Sequence, residues 1–265
     1  MITSTHNPKI KTLAELRERK VRERAGRFLI EGAREIERAL EAGLSLDTAV
    51  FCRELLTKEE NVLLEGFQGE ALEASPAPFK KLSSRENPTG LVMVAQKPVR
   101  SLAGLVLPQN PLVLIVVGLE KPGNLGALLR SADAAGADAI LLVGGLDPYG
   151  PQAIRNSTGA VFSLKVIPTT EKEALAWLAA RKLKLVAASP DAEKNYWQVD
   201  LAGALAIAVG SEDAGLPEKW LGMAATQVHI PMKGLADSLN VSVSAALLLY
   251  EALRQRTKSR QIGRT

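Results

Sequence analysis

The stretch Leu112-Val113-Leu114-Ile115-Val116-Val117-Gly118-Leu119-Glu120-Lys121-Pro122-Gly123-Asn124-Leu125-Gly126 decides the fold. Its first six residues are an unbroken aliphatic, largely β-branched run, the pattern of a strand buried on both faces of a parallel sheet. A glycine-bearing turn then leads into a helical pattern, the place where α/β folds bind nucleotides. The spacing fits neither familiar phosphate loop. There is no GxGxxG, and Gly123 is followed by Asn124 rather than by the Lys-Ser/Thr of a P-loop. A dehydrogenase and a nucleoside triphosphatase are therefore disfavoured.

Further along the chain, short apolar runs recur at Ala139–Val143, Val161–Ile167, Leu183–Ala188, Leu205–Val209 and Gln227–Ile230, with helical patterns between them. Thr170 and Glu173 form a capping-box pair ahead of one such helix. The last helix, about Val241 to Arg256, is apolar over most of its circumference and so needs cover on more than one side. Toward the N-terminus, Ile10 to Arg24 reads as one charged helix. Phe28–Ile30, Thr48–Phe51 and Leu91–Ala95 read as strands, with a helix from Gly32 to near Gly43. This alternation implies a small α/β domain over residues 1–97. Pro98, Pro108 and the flanking Pro111 mark a linker at 98–110, and the second domain is expected over 111–265.

The 265 residues carry 33 Lys+Arg against 29 Asp+Glu, a net charge of +4 that is unevenly spread. Residues 1–27 hold Lys9, Lys11, Arg17, Arg19, Lys20, Arg22, Arg24 and Arg27 against three Glu, a net +5. Residues 254–265 hold Arg254, Arg256, Lys258, Arg260 and Arg264 with no acid, again +5, which leaves −6 for the body. An acidic body with two basic ends suits a polyanionic partner, although charge runs are commonly just solvated faces. Cys52 is the one cysteine, so no internal disulfide is expected and a reducing, cytoplasmic setting is. His6 and His229 with one Cys make a conventional zinc site unexpected. There is no apolar stretch of membrane-spanning length and no signal-peptide pattern at the N-terminus.

Two more loops follow strands. They are Gly210-Ser211-Glu212-Asp213-Ala214-Gly215-Leu216 and His229-Ile230-Pro231-Met232-Lys233-Gly234, the latter leading to Ser238-Leu239-Asn240. Loops at the carboxyl ends of parallel strands converge on one crevice. Together they bring Asn124, Arg130, Glu212, Ser238 and Asn240 but no nucleophilic Cys, His–Asp pair or carboxylate dyad. Asn124 and Ser238 could each simply cap a helix. His229 reads more readily as a strand residue than as a catalyst.

These three segments resemble the three motifs of the SpoU/TrmH family of RNA ribose 2′-O-methyltransferases, within the SPOUT superfamily. Pro122–Asp133 is similar to the first motif and Gly210–Leu216 to the second. Ile230–Gly234 with Ser238–Val243 is similar to the third. The match spans about residues 111–257 in the family's order. Lys121 and Asp213 depart from residues common in the family. Residues 1–96 resemble, more weakly, the ribosomal-protein-like α/β RNA-binding domain that many members carry.

The resemblance implies a parallel-sheet second domain with a C-terminal trefoil knot, S-adenosyl-L-methionine bound in the knot, and a homodimer; no metal is expected. It places Gly210, Ile230 and Leu239 at the adenosine, with Leu119, Ser211, Met232 and Gly234 nearby. It makes Arg130 the central catalytic group, held with the ribose by Asn124 and Asn240, oriented by Glu212, with Ser238 at the RNA. Whether Arg130 acts as base or as electrostatic clamp stays open. A guanidinium does not normally give up its proton, whereas its charge can hold a phosphate and favour an alkoxide. The basic N-terminal residues Lys9, Lys11, Arg17, Arg19, Lys20, Arg22 and Arg24 are expected to dock RNA phosphates. An additional N-terminal domain is more typical of rRNA-directed members, some of which confer antibiotic resistance. A tRNA ribose methyltransferase and a non-catalytic RNA-binding protein of the same fold are the alternatives.

Overall fold

The computed structural model describes residues 1–262, with side chains through Lys258. The chain forms two compact units. The first comprises Met1–Val99 together with Asp147–Ser163, and the second Arg100–Leu146 together with Leu164 onward.

In the first unit the expected single N-terminal helix is two, α1 (Pro8–Glu15) and α2 (Arg19–Ala25). Asn7 caps α1 by accepting from the Lys9 N–H, and Pro8 presets the first turn. The break follows from how the end of α1 is satisfied. Arg22 reaches back and donates through Nη1 to the Leu16 and Arg17 carbonyls, at 2.9 and 2.6 Å. Gly26, left-handed at φ 61°, ends α2 and turns the chain into β1 (Arg27–Glu31).

There follow α3 (Ala33–Glu41), β2 (Leu46–Phe51), α4 (Lys58–Glu65), β3 (Glu70–Glu73), α5 (Pro76–Leu82) and β4 (Leu91–Gln96). The sheet order is β1-β4-β2-β3, antiparallel except for the β2–β3 pair. Ile10, Leu13, Leu16, Phe79 and Leu82 pack from α1 and α5 onto Leu29, Val50, Val92 and Val94. The elements α4, β3 and α5 had no expectation from sequence. β3 is a four-residue edge strand, and α4 and α5 are short, each opened by a cap at Thr57 or by Pro76.

The second unit is a parallel α/β sheet. After β5 (Leu112–Val117) come α6 (Pro122–Ala134) and β6 (Ala139–Val143). The chain then supplies α7 (Pro151–Asn156) and α8 (Ala160–Ser163) to the first unit before returning at β7 (Val166–Thr169). The run Val161–Ile167, expected as one strand, is therefore divided. Val161 and Phe162 are buried on α8, and only Val166 onward pairs with β6.

The remainder is α9 (Glu171–Arg181), β8 (Lys184–Ala188), β9 (Lys194–Asn195), β10 (Leu205–Val209), α10 (Glu218–Met223), β11 (Thr226–His229) and α11 (Val241–Ile262). Thr170 and Glu173 make the expected reciprocal cap on α9. The strand order β7-β6-β5-β10-β8-β11-β9 is parallel throughout. β5 lies between β6 and β10, so connections run outward in both directions from that pair, which opens a crevice at the strands' carboxyl ends.

Residues 100–110, expected as a linker, are fastened to this unit. Leu105 is buried in its core, and the Arg181 and Lys165 side chains donate to the Leu105 and Val106 carbonyls at 3.1 and 2.9 Å. The basic C-terminal segment continues α11. Arg256 donates to the carbonyls of Asn110, Pro111 and Gly203, and Arg254 pairs with Glu251. The Arg260 side chain and Arg264 lie outside the described residues. Among the described residues no helix is long and apolar enough to cross a membrane.

Candidate functional site

The site is built where β5, β10, β8 and β11 end. Gly118, at φ 68°, lets the chain leave β5 and turn toward α6, a conformation that a residue with a Cβ would find strained. Asn124 then falls within the first turn of α6, whose N-cap is Lys121. After β10, Ser211 pairs back to Gly215, with Gly215 N–H donating to the Ser211 carbonyl at 3.0 Å. This closes the loop so tightly that a Cβ on Gly210 would stand 2.0 Å from the Gly215 carbonyl carbon. Asn240, not Ser238, caps α11. Its Oδ1 accepts from the Ser242 N–H at 3.0 Å and from the Ser242 hydroxyl at 2.7 Å.

These three loops bring three of the five expected polar residues together. Asn124 donates through Nδ2 to Glu212 Oε1. Asn240 Nδ2 lies 3.3 Å from Asn124 Oδ1 and 3.4 Å from the same Glu212 oxygen. One carboxylate oxygen thus gathers two amides from loops after different strands. Such charge-assisted bonds fix orientation more strongly than neutral ones.

Ser238 is not hydrogen-bonded to this trio but lines the adjoining cleft. Arg130 follows Asn124 by six positions on α6 and is exposed, outside the cleft lining. It makes no hydrogen bond or ion pair among the described residues.

The cleft encloses about 470 Å³. Of the expected cofactor residues, Gly210, Ser211, Ile230, Met232 and Leu239 line it. Leu119 and Gly234 do not. Leu119 is 3% exposed because it turns into the core after β5, and Gly234 lies out in the exposed part of its loop. Sequence reasoning missed the β8 end, where Ser189 and Asp191 also face the cleft. The signal was available in principle, since β8 is a central strand of the same sheet.

The lining chemistry is distinctive. Asp191, Glu212, Asp213 and Asp237 are present with no Lys or Arg, and Val209, Leu216, Ile230 and Leu239 supply apolar wall. Such a donor set disfavours phosphates and suits a ligand carrying an apolar ring and positive charge. Among the described residues there is no cluster of His, Cys, Asp and Glu fit to hold a metal ion.

The profile of the SpoU rRNA methylase family matches residues 111–250, the stretch that carries all three loops. The chain belongs to the SpoU rRNA methylase family. Residues 7–93 match an MRM3-like substrate binding domain. A 23S rRNA (uridine(2479)-2′-O)-methyltransferase of Streptomyces viridochromogenes is 32% identical over 256 residues, covering 93% of this chain and 89% of that one. A crystal structure of an RNA 2′-O ribose methyltransferase is 57% identical, with a TM-score of 0.88 over 97% of this chain and 99% of that one. The SpoU methyltransferase AviRb from S. viridochromogenes, solved with AdoMet, is 31% identical, with a TM-score of 0.90 over 95% and 99%. SpoU membership accounts for the parallel-sheet core and for the loops that build the cleft.

The expected RNA-docking residues belong to the first unit. Lys9, Lys11, Arg17, Arg19, Lys20 and Arg24 are exposed, Lys9 beside Glu70 and Arg19 beside Glu23. Arg22 corrects the expectation. It is 5% exposed, pairs with Asp147 at 2.7 Å and holds two carbonyls, so its charge is used within the fold.

Proposed function

We propose that this SpoU protein transfers a methyl group from S-adenosyl-L-methionine to a ribose 2′-hydroxyl of RNA, within rRNA. The observation that carries the reading is the Asn124–Glu212–Asn240 cluster standing beside a carboxylate-lined cleft with no Lys or Arg in its lining. The residues present fit the cofactor. Gly210, Ser211, Ile230, Met232 and Leu239 would hold it, the apolar wall taking the adenosine and the carboxylates favouring its positive charge. When bound, it supplies an electrophilic methyl group on a sulfonium.

The chain's own residues have three tasks. The tight Gly210–Gly215 loop presents backbone groups at the cleft without side-chain obstruction. Glu212 holds the Asn124 and Asn240 amides in one orientation, which positions the ribose; ideal alignment of this kind contributes about 7 kcal/mol or more. Arg130 clamps the phosphate beside the reacting ribose and favours loss of the 2′-hydroxyl proton electrostatically. Ser238 contacts the RNA from the rim of the cleft.

In keeping with its family, we infer a trefoil-knotted second unit that pairs as a homodimer in the cytoplasm. The pairing is supported by α11, which buries Ala245, Leu248 and Leu249 yet leaves Val243 45% and Tyr250 49% exposed. Preference for rRNA over tRNA rests on the S. viridochromogenes relative, a 23S rRNA enzyme by name that matches across 93% of this chain.

The test is transfer of labelled methyl from S-adenosyl-L-methionine to 23S rRNA, with nucleosides resolved by mass spectrometry. A 2′-O-methylnucleoside is expected. Base methylation, or no transfer to any RNA, overturns the proposal.

A further inference from the structure

The first unit carries an open groove of about 670 Å³ that no expectation from sequence placed. Arg17 and Glu18, from the turn between α1 and α2, stand on one side of it. Gln152 and Arg155, from α7, stand on the other, and Ala14 and Pro151 add apolar surface. Arg155 is exposed and makes no hydrogen bond or ion pair among the described residues. Arg17 is exposed and donates once, from Nη1 to the Lys81 carbonyl at 3.3 Å. Two guanidinium groups thus face solvent from segments 138 positions apart in the chain.

A buried arginine, Arg22, ties together the two segments that carry them. Arg22 holds the Leu16 and Arg17 carbonyls through Nη1 and the Asp147 carboxylate through Nε. The two sides of the groove are therefore tied to one guanidinium. Phe28 meets Tyr149 in a tilted contact and stacks on Phe162, at 4.8 and 6.0 Å between ring centroids, and Arg38 donates to the Thr158 carbonyl at 2.6 Å. The Asp147–Ser163 segment is thereby held in place from one end to the other. Binding groups fixed in advance lose little entropy when they engage a ligand.

A wide, polar groove with paired guanidinium groups suits a polymer with regularly spaced anions better than an enclosed small molecule. We propose that it binds the phosphodiester backbone of the RNA, with Arg155 contributed by the methylase-matching part of the chain. The inference rests on the proposed function for the identity of the polymer. It assigns RNA anchoring to a residue outside the segment that matches the substrate-binding domain. Glu18 is the one acid lining the groove and opposes binding at its α2 end.

The experiment is binding of a full-length 23S rRNA transcript by the intact protein across a salt series. Arg17→Gln and Arg155→Gln should each weaken binding and make the slope of log K against log salt shallower by about one. Glu18→Gln should tighten it. Lys58→Gln, on α4 and outside the groove, should leave both affinity and slope unchanged. Affinity for S-adenosyl-L-methionine should stay at the parent value in all four variants.

Parent affinity and slope in Arg155→Gln, or an equal loss in Lys58→Gln, overturns the groove. Failure of methyl transfer with every RNA, while these binding shifts persist, instead overturns the enzymatic reading and leaves the groove standing.

Discussion

Asn124 and Asn240, 116 positions apart, meet over a single oxygen of Glu212, with Asn240 Nδ2 3.3 Å from Asn124 Oδ1. The pair joins the first turn of α6 to the cap of α11 through a carboxylate supplied by the loop after β10. Three connections of the parallel sheet are thereby locked at one point.

Replacing Glu212 with Gln keeps its size but removes the charge that both amides face. Hydrogen bonds to a charged group contribute about 1.5–3 kcal/mol, so turnover should fall about tenfold to a hundredfold. Single-turnover kinetics at saturating cofactor measure this directly. A parent rate would remove Glu212 from the positioning role.

Arg130→Ala should lower methyl transfer by about a hundredfold or more, the scale of losing one charge-stabilising donor. Cofactor affinity, measured by calorimetry, should change little, because Arg130 stands outside the cleft lining. If Arg130 works as a clamp, the chemical rate in Arg130→Lys should keep the pH dependence of the parent. A new titration in that variant would favour the base role.

Gly210→Ala should disable the cleft. Its Cβ would meet backbone atoms of Gly215 and Leu216 at 2.0–2.4 Å, and neither can swing aside as a side chain could. Overpacking of this kind costs about 1–3 kcal/mol, with displacement of the loop. Thermal melting and cofactor titration should both register the change, and an unperturbed titration would mean that the loop has slack.

Asp147→Asn or Arg22→Met should unfold the first unit more readily. Each leaves the other member of a buried ion pair, 5% exposed on both sides, without its counter-charge. Breaking such a pair costs about 3–5 kcal/mol. Replacing both together by apolar residues should cost less than the sum, which a double-mutant cycle in urea would show.

The Glu251 carboxyl is held below the ordinary carboxylate range, first by hydrogen bonding from Arg254 and also from Gln255, against the opposing effect of burial. A depressed folded-state value means that the stabilisation is complete above the unfolded value and is lost as pH falls through the folded one. Stability should therefore drop in mildly to strongly acidic solution, and Glu251→Gln should flatten that acid limb. Urea midpoints at about pH 7 and about pH 3 would reveal it.

The central strands of the second unit were legible because they are aliphatic on both faces, whereas β9, Lys194–Asn195, is polar and carried no such signal. Leu205–Val209 begins and ends where its pattern does, and Leu112–Val117 likewise. The run at Val161–Ile167 misled because continuous apolar residues serve a buried helix as well as a strand. Ala160–Ser163 is covered within the first unit, and burial there imposes no alternation. At the site, Asn124, Glu212 and Asn240 meet at the carboxyl ends of the strands, while Ser238 stands apart in the adjoining cleft and Arg130 outside it. Leu119 did not reach the cleft because it is buried in the core after β5, and Gly234 because it lies in the exposed part of its loop.

The sequence by itself determined the parallel α/β class, the three loops and the types of polar group they bring. Hydrophobic period and turn chemistry are local properties and can be read residue by residue. Only the tertiary structure decided which of those groups touch, that Asp147–Ser163 leaves one unit to complete the other, and that Arg22 is internal. The reason is physical. A guanidinium looks the same in any sequence, and whether it meets water or a buried carboxylate depends on a partner brought from 125 residues away.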